Sequence, residues 1–315
     1  MVLPIPVPDR PRLAQRLRFG DPLVLGMAFT FLSYFLFSWH DAAIKWLVAD
    51  TSVWEILFMR SVFILTLCLV TGGTSVVRET LTSPVLYPLI GRGALVLVAW
   101  LLYYSASQYL QLAELMTAYF TAPLLVTLLA VLLLGERLDW VRSCAVGVGF
   151  TGVVIACQPH DLSHLPPVLM ALAAAALWAL AMVLLRSISG SANIRVQMVT
   201  SNFVLLIACG AMMPWHWQTP SLSKFGLMAV VGLVGAGGQS LLLAGIRRAP
   251  ASVTAPMEFT ALVWAFGLGF VIWGDIPAPA VFVGAALIIA SGLFIAVKEW
   301  RGVGLAAAKD VVQAE

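Results

Sequence analysis

Charge is what this sequence has least of. Asp, Glu, Lys and Arg make up only 10% of its 315 residues, against about 25% in a soluble globular domain. A surface so poor in charge cannot face water throughout. Cysteine is nearly as scarce: Cys68, Cys144, Cys157 and Cys209 lie within or at the ends of apolar runs, with no CxxC and no Cys/His cluster. Neither a disulfide framework nor a metal site is expected, and no motif asks for a cofactor. A net charge of +3 is too small to imply nucleic acid. The first 21 residues, rich in Pro and Arg, lack the short apolar core and small-residue cleavage site of a signal peptide. They read as a disordered cytoplasmic tail.

What is abundant is apolar. Hydrophobic residues account for 61% of the chain, and its 11 tryptophans suit a molecule with two lipid–water interfaces to anchor. Crossing a bilayer takes about 20 mostly apolar residues in helical form. Ten such runs are predicted, at 22–46, 54–72, 89–109, 113–134, 141–157, 167–186, 196–214, 224–246, 253–273 and 279–297. Helix is the required form, because lipid offers nothing to an unpaired backbone group. Counted on alternate sides, 15 of the 18 basic residues share the side of the amino terminus. Lys45 and Lys224 fall on the other side and Arg60 within a span. The positive-inside rule then places both termini in the cytoplasm.

Two stretches echo each other. Residues 121–156 read TAPLLVTLLAVLLLGERLDWVRSCAVGVGFTGVVIA, and residues 260–296 read TALVWAFGLGFVIWGDIPAPAVFVGAALIIASGLFIA. Thr121-Ala122 answers Thr260-Ala261, and Gly135-Glu136 answers Gly274-Asp275, each offset by 139 positions. Five spans per half is an odd number, so the second half enters the membrane upside down. The expected fold class is an all-α integral membrane protein of ten transmembrane helices in two inverted five-helix repeats. Its units are a tail at 1–21, repeats at 22–157 and 167–297, and a second cytoplasmic tail at 298–315. Inverted repeats recur in secondary transporters, which bind substrate near the midplane between the halves.

The two five-helix repeats, Gly135-Glu136 after the fourth helix and the Glu55…Arg60 spacing opening the second resemble the EamA branch of the drug/metabolite transporter superfamily. The resemblance covers roughly residues 22–297. It implies a ten-helix bundle with a central cavity, moving amino acids and small metabolites across the bacterial inner membrane. Length and aromatic content are similar to those of the aromatic amino acid exporters. The second half departs from the first at Asp275, where the first has Glu136, and at Leu262, where the first has Pro123.

Several residues are candidates for the site. Arg60 lies inside a span, where a charge must be paired or wetted. It either meets a substrate carboxylate or pairs with Asp41 or Glu55. Glu258 either receives a substrate ammonium or a coupling proton, or faces an inner vestibule. Tyr34, Phe37, Tyr104, Tyr119, Trp178 and Trp264 stand at intermediate depth, where aromatics wall a cavity or pack. Gly235, Gly237 and Gly238 suit close helix packing, with Gln239 beyond them as a cavity candidate. His40-Asp41 suggests hydrogen bonding at the outer interface, since sequence neighbours on a helix point to different faces. His160, His164 and His216 fall in outer loops.

The expected function is carriage of amino acids, aromatic ones included, or similar metabolites, in the export direction and by alternating access. Uptake of a nucleoside-like or S-adenosyl metabolite is the rival, and a passive channel is the next. A membrane enzyme needs a convergent catalytic set that these isolated candidates do not supply. The partners expected are a small-molecule substrate and the lipid bilayer, without nucleic acid, with a monomer as the working expectation.

Overall fold

A computed structural model describes residues 22–135, 140–157, 165–188, 194–249 and 251–312. The amino-terminal tail, Glu136, Arg137, His160 and His164 lie outside the described residues. Every regular element described is an α-helix: α1 (Pro22–Leu47), α2 (Val53–Leu81), α3 (Leu86–Ser107), α4 (Leu112–Tyr119), α5 (Ala122–Leu134) and α6 (Trp140–Cys157), then α7 (Leu165–Ser187), α8 (Ile194–His216), α9 (Leu222–Ile246), α10 (Ala251–Glu258), α11 (Thr260–Trp273) and α12 (Pro279–Val312). Eight helical segments are long and apolar enough to cross a membrane, and Ser143–Cys157 and Pro279–Phe294 are shorter apolar helices. Exposed Phe, Trp, Leu and Val side chains cover the outside of the bundle, as lipid contact requires.

The runs expected at 113–134 and 253–273 are each two helices. Pro123 stands near the start of α5 and has no N–H to give the carbonyl of Tyr119, so α4 ends there. Thr121 donates its hydroxyl back to the Ala118 carbonyl across this joint. The second joint falls at Phe259, between α10 and α11. It forms although Leu262 takes the place of Pro123, three residues beyond Pro256 inside α10. Helix α2 also runs past its expected end, bending at Gly73, whose φ of 58° suits glycine. α12 continues well beyond residue 297.

Both echoed stops are visible as backbone. Gly135 closes α5 at φ 70°, ψ 20°, and Gly274 closes α11 at φ 71°, ψ 17°. This left-handed conformation lets the N–H beyond a helix end reach back to its last carbonyls, and glycine adopts it without a Cβ clash.

Helices pair across the bundle: α1 with α9, α3 with α7, α2 with α8 and α6 with α12. Lipid is as apolar as leucine, so these pairs are held by close packing rather than by exclusion of water. Small residues allow it. A Cβ on Gly245 would strike Thr30 and the Gly26 carbonyl, and one on Gly284 would strike the Gly152 carbonyl. Gly238 is covered by the Phe37 ring. Buried hydroxyls turn to their own helices, Thr30 to Gly26 at 2.9 Å and Thr117 to Ala113 at 2.7 Å.

At the end of the bundle where α1 gives way to α2, polar contacts join distant elements. Lys45 donates to the Leu110 carbonyl at 2.6 Å and lies 3.7 Å from Asp275. Lys224 meets Asp50 at 2.8 Å. That hydrogen bond holds the Asp50 carboxyl below its ordinary range.

Candidate functional site

Polar and aromatic side chains converge inside the bundle where α1, α2, α3 and α4 meet. Arg60 on α2 donates from Nη1 to the Tyr104 hydroxyl at 3.0 Å, and its guanidinium carbon stands 5.0 Å from the Trp100 ring centre. A cation over a tryptophan face is attracted by the ring quadrupole. Among the described residues Arg60 forms neither of its expected ion pairs. Glu55 is fully buried and accepts instead from the Gln218 N–H at 3.2 Å. Asp41 faces His40 and Tyr103. Among the described residues no carboxylate contacts the Arg60 guanidinium.

The aromatic wall is continuous. Trp100 packs against Tyr103, Tyr104 and Trp178 with centroids 5.4–5.7 Å apart. Tyr103 meets Tyr119 edge to face at 4.8 Å. Trp100, Tyr103 and Tyr104 sit at i, i+3 and i+4 of α3, so one helix face carries all three. Sequence reading passed over Trp100 and Tyr103, although that spacing was there to be read.

Glu258 closes the other side. It is the last residue of α10, beside the joint and within electrostatic reach of the Tyr34 hydroxyl of α1. Tyr119 lies within electrostatic reach of both Asp41 and Glu258. A cation, a carboxylate and an aromatic wall are thus gathered around two broken helices.

His40 and Asp41 do more than decorate an interface. His40 is 4% exposed, and its Nδ1 is 3.1 Å from the Asp41 carboxylate despite their adjacency. Tyr103 donates to the same carboxylate at 3.4 Å. Among the described residues His40 is also the one ionisable residue lining an apolar groove of about 710 Å³ between α1, α9 and α11. His216 ends α8 and stacks on Trp54 at 6.2 Å.

Other candidates stand elsewhere. Phe37 packs on Gly238, between α1 and α9. Trp264 packs against Phe31 and Phe35 at 5.9 and 4.8 Å, toward the bundle's exterior. Gln239 is exposed on α9.

Comparison with known proteins agrees with this architecture. The model of the EamA-like transporter family matches residues 24–157 and again 165–297. The chain is 28% identical over 180 residues to an S-adenosylmethionine uptake transporter of Rickettsia bellii, covering 57% of this chain and 62% of that relative. The chain thus spans less than two thirds of that relative's length. It is 26% identical over 277 residues to the pseudopaline exporter CntI of Pseudomonas aeruginosa, covering 85% of this chain and 95% of that one. A solved crystal structure superposes with a TM-score of 0.61 at 18% identity, over 89% of this chain and 99% of its own, and shares the fold.

Proposed function

The chain belongs to the EamA-like transporter family, a multi-pass membrane protein carrying a small molecule, and from that premise we propose that it exports amino acids, aromatic ones included, or similar small metabolites across the bacterial inner membrane. One observation carries the reading: Arg60 stands on an aromatic wall that runs through Tyr103 to Tyr119, and Glu258 lies within electrostatic reach of Tyr119 at the broken helices. A zwitterion suits that arrangement, with its carboxylate at Arg60, its ammonium at Glu258 and Tyr34, and its side chain on Trp100, Tyr104, Tyr119 and Trp178.

We take the ten apolar segments as ten crossings, with both termini cytoplasmic. The halves at 22–157 and 167–297 are inverted repeats that rock about the site. The reciprocal pairing supports this, since α1 packs on α9 while α3 packs on α7. A twofold relation exchanges contacts in that way. Discontinuous helices at the midplane are where such carriers hold substrate. Phe37, Gln239 and Trp264 keep supporting places around the site rather than in it.

Export follows the pseudopaline exporter, a relative aligned over most of both chains. Uptake of an S-adenosyl metabolite is the second reading, favoured by the R. bellii relative. S-adenosylmethionine is itself an amino acid and presents the same two charges. Purified protein in proteoliposomes loaded with unlabelled L-tryptophan or S-adenosylmethionine tests both. Trans-side substrate should accelerate uptake of the labelled compound through a carrier. Flux indifferent to trans loading would indicate a pore and end the carrier reading.

A further inference from the structure

Two buried nitrogens at this site have no partner. His40 Nε2 and Arg60 Nε are both shielded from solvent and, among the described residues, without a hydrogen bond. An unpaired buried polar group is costly, so such a pair points to a ligand. Both border one point in space. A Cβ placed on Gly235 of α9 would lie 3.5 Å from His40 Nε2 and 3.9 Å from Arg60 Nε, with His40 Cδ2 at 3.4 Å. Glycine puts no side chain between the two nitrogens. A ligand oxygen cannot take the Cβ position itself, a bond length from Cα; it stands farther out, toward the two nitrogens, where each can hydrogen-bond to it.

We propose that His40, Arg60 and Gly235 form a subsite for one carboxyl oxygen of the substrate, which is loaded together with one proton. The proposal deepens the carrier reading and rests on it. The proton follows from the tautomer. A carboxylate oxygen only accepts hydrogen bonds, so His40 Nδ1 supplies the hydrogen in the 3.1 Å contact with Asp41. Neutral His40 then presents a lone pair at Nε2. A carboxylate meets a lone pair favourably only with a proton between them. The balance is one carboxylate, one proton and one neutral imidazole becoming an imidazolium whose Nε2–H donates to the carboxylate. Arg60 donates from Nε to the same group. The charged groups acting on the imidazole are Asp41 from its own helix and Arg60 from α2. From α3, Tyr103 bonds to Asp41, and α9 contributes Gly235.

Calorimetric titration of the full-length protein in nanodiscs tests this, with L-tryptophan and S-adenosylmethionine as carboxylate probes and tryptamine as the probe lacking the group. Protons are counted by repeating each titration in buffers of different ionisation heat. The wild type should bind L-tryptophan at least about tenfold more tightly than tryptamine, with uptake of about one proton. Gly235→Ala places its methyl in ordinary contact with both neighbours and favours the helix, so the melting temperature should hold. It should erase the preference for L-tryptophan and leave tryptamine binding unchanged. His40→Gln, whose amide donates without ionising, should bind L-tryptophan without proton uptake. Equal affinity for acid and amine in the wild type, or a preference intact in Gly235→Ala, overturns the subsite. So does failure of both carboxylates to bind, or proton uptake unchanged in His40→Gln. The carrier reading fails separately, by absence of counterflow for any substrate in the wild type.

Discussion

Phe120 and Phe259 meet with ring centroids 5.7 Å apart, although 139 positions separate them. That spacing is also the offset between Gly135 and Gly274. Each phenylalanine occupies the joint of a broken helix, one between α4 and α5, the other between α10 and α11. Both rings are at least nine-tenths buried. The contact ties the two joints together beside Glu258, so a shift at one joint is felt directly at the other.

Arg60→Ala should leave expression and melting temperature close to wild type, because no carboxylate loses its partner. Transport should suffer instead. A hydrogen bond to a charged group is worth about 1.5–3 kcal/mol, so KM for L-tryptophan should rise roughly 10- to 100-fold. Arg60→Lys keeps the charge but loses the planar stack on Trp100, and should rescue only part of the loss. A collapse in folded yield with normal specific transport would make Arg60 structural.

Glu258→Gln should raise KM for L-tryptophan by a similar factor, about 10- to 100-fold. The pH dependence of transport should persist in this variant, since the proton sits with His40. Initial rates across a pH series settle the point: a profile flattened by Glu258→Gln would move the proton to Glu258.

Gly135→Ala and Gly274→Ala should each destabilise the protein by about 1–2 kcal/mol, the cost of forcing an L-residue into the left-handed region. Among the described residues nothing lies within 4 Å of a Cβ at either position. The cost is therefore conformational, and the two losses should match. Thermal unfolding in detergent measures both, and a loss confined to one would show that only that turn constrains its helix.

Asp50→Asn removes the contact with Lys224. Because the folded carboxyl titrates below its unfolded value, its contribution is present at neutral pH and is lost as the pH falls through the folded pKa. The side chain is 62% exposed, which limits the effect to roughly 0.2–1 kcal/mol at neutral pH. Melting curves of wild type and variant should converge in acid. A gap that widens there would contradict the assigned partner.

How much of the site was legible follows from what kind of information each residue carries. Arg60 and Glu258 stood out because a charge in an apolar run is conspicuous without a structure. Tyr34, Tyr104, Tyr119 and Trp178 could be named but not oriented, and Trp264 looked no different from them. Its ring packs toward the exterior against Phe31, while Trp178 packs inward against Trp100. In water, apolar periodicity marks the buried face of a helix. In lipid both faces are apolar, and the pattern that separates inside from outside is erased.

By itself the sequence determined what depends on neighbours along the chain. Apolar runs must be helices because their backbone has no other partner in lipid, and Gly135 and Gly274 stop them because only glycine turns left-handed without strain. Tertiary structure decided what depends on distant partners. Tyr104 lies 44 residues from Arg60, and Gly235 lies 195 from His40. Helix packing brings such residues together, and no local rule encodes which helix packs on which. His40 and Arg60 share Gly235 as a neighbour because α9 lays a glycine, and no side chain, against α1 and α2.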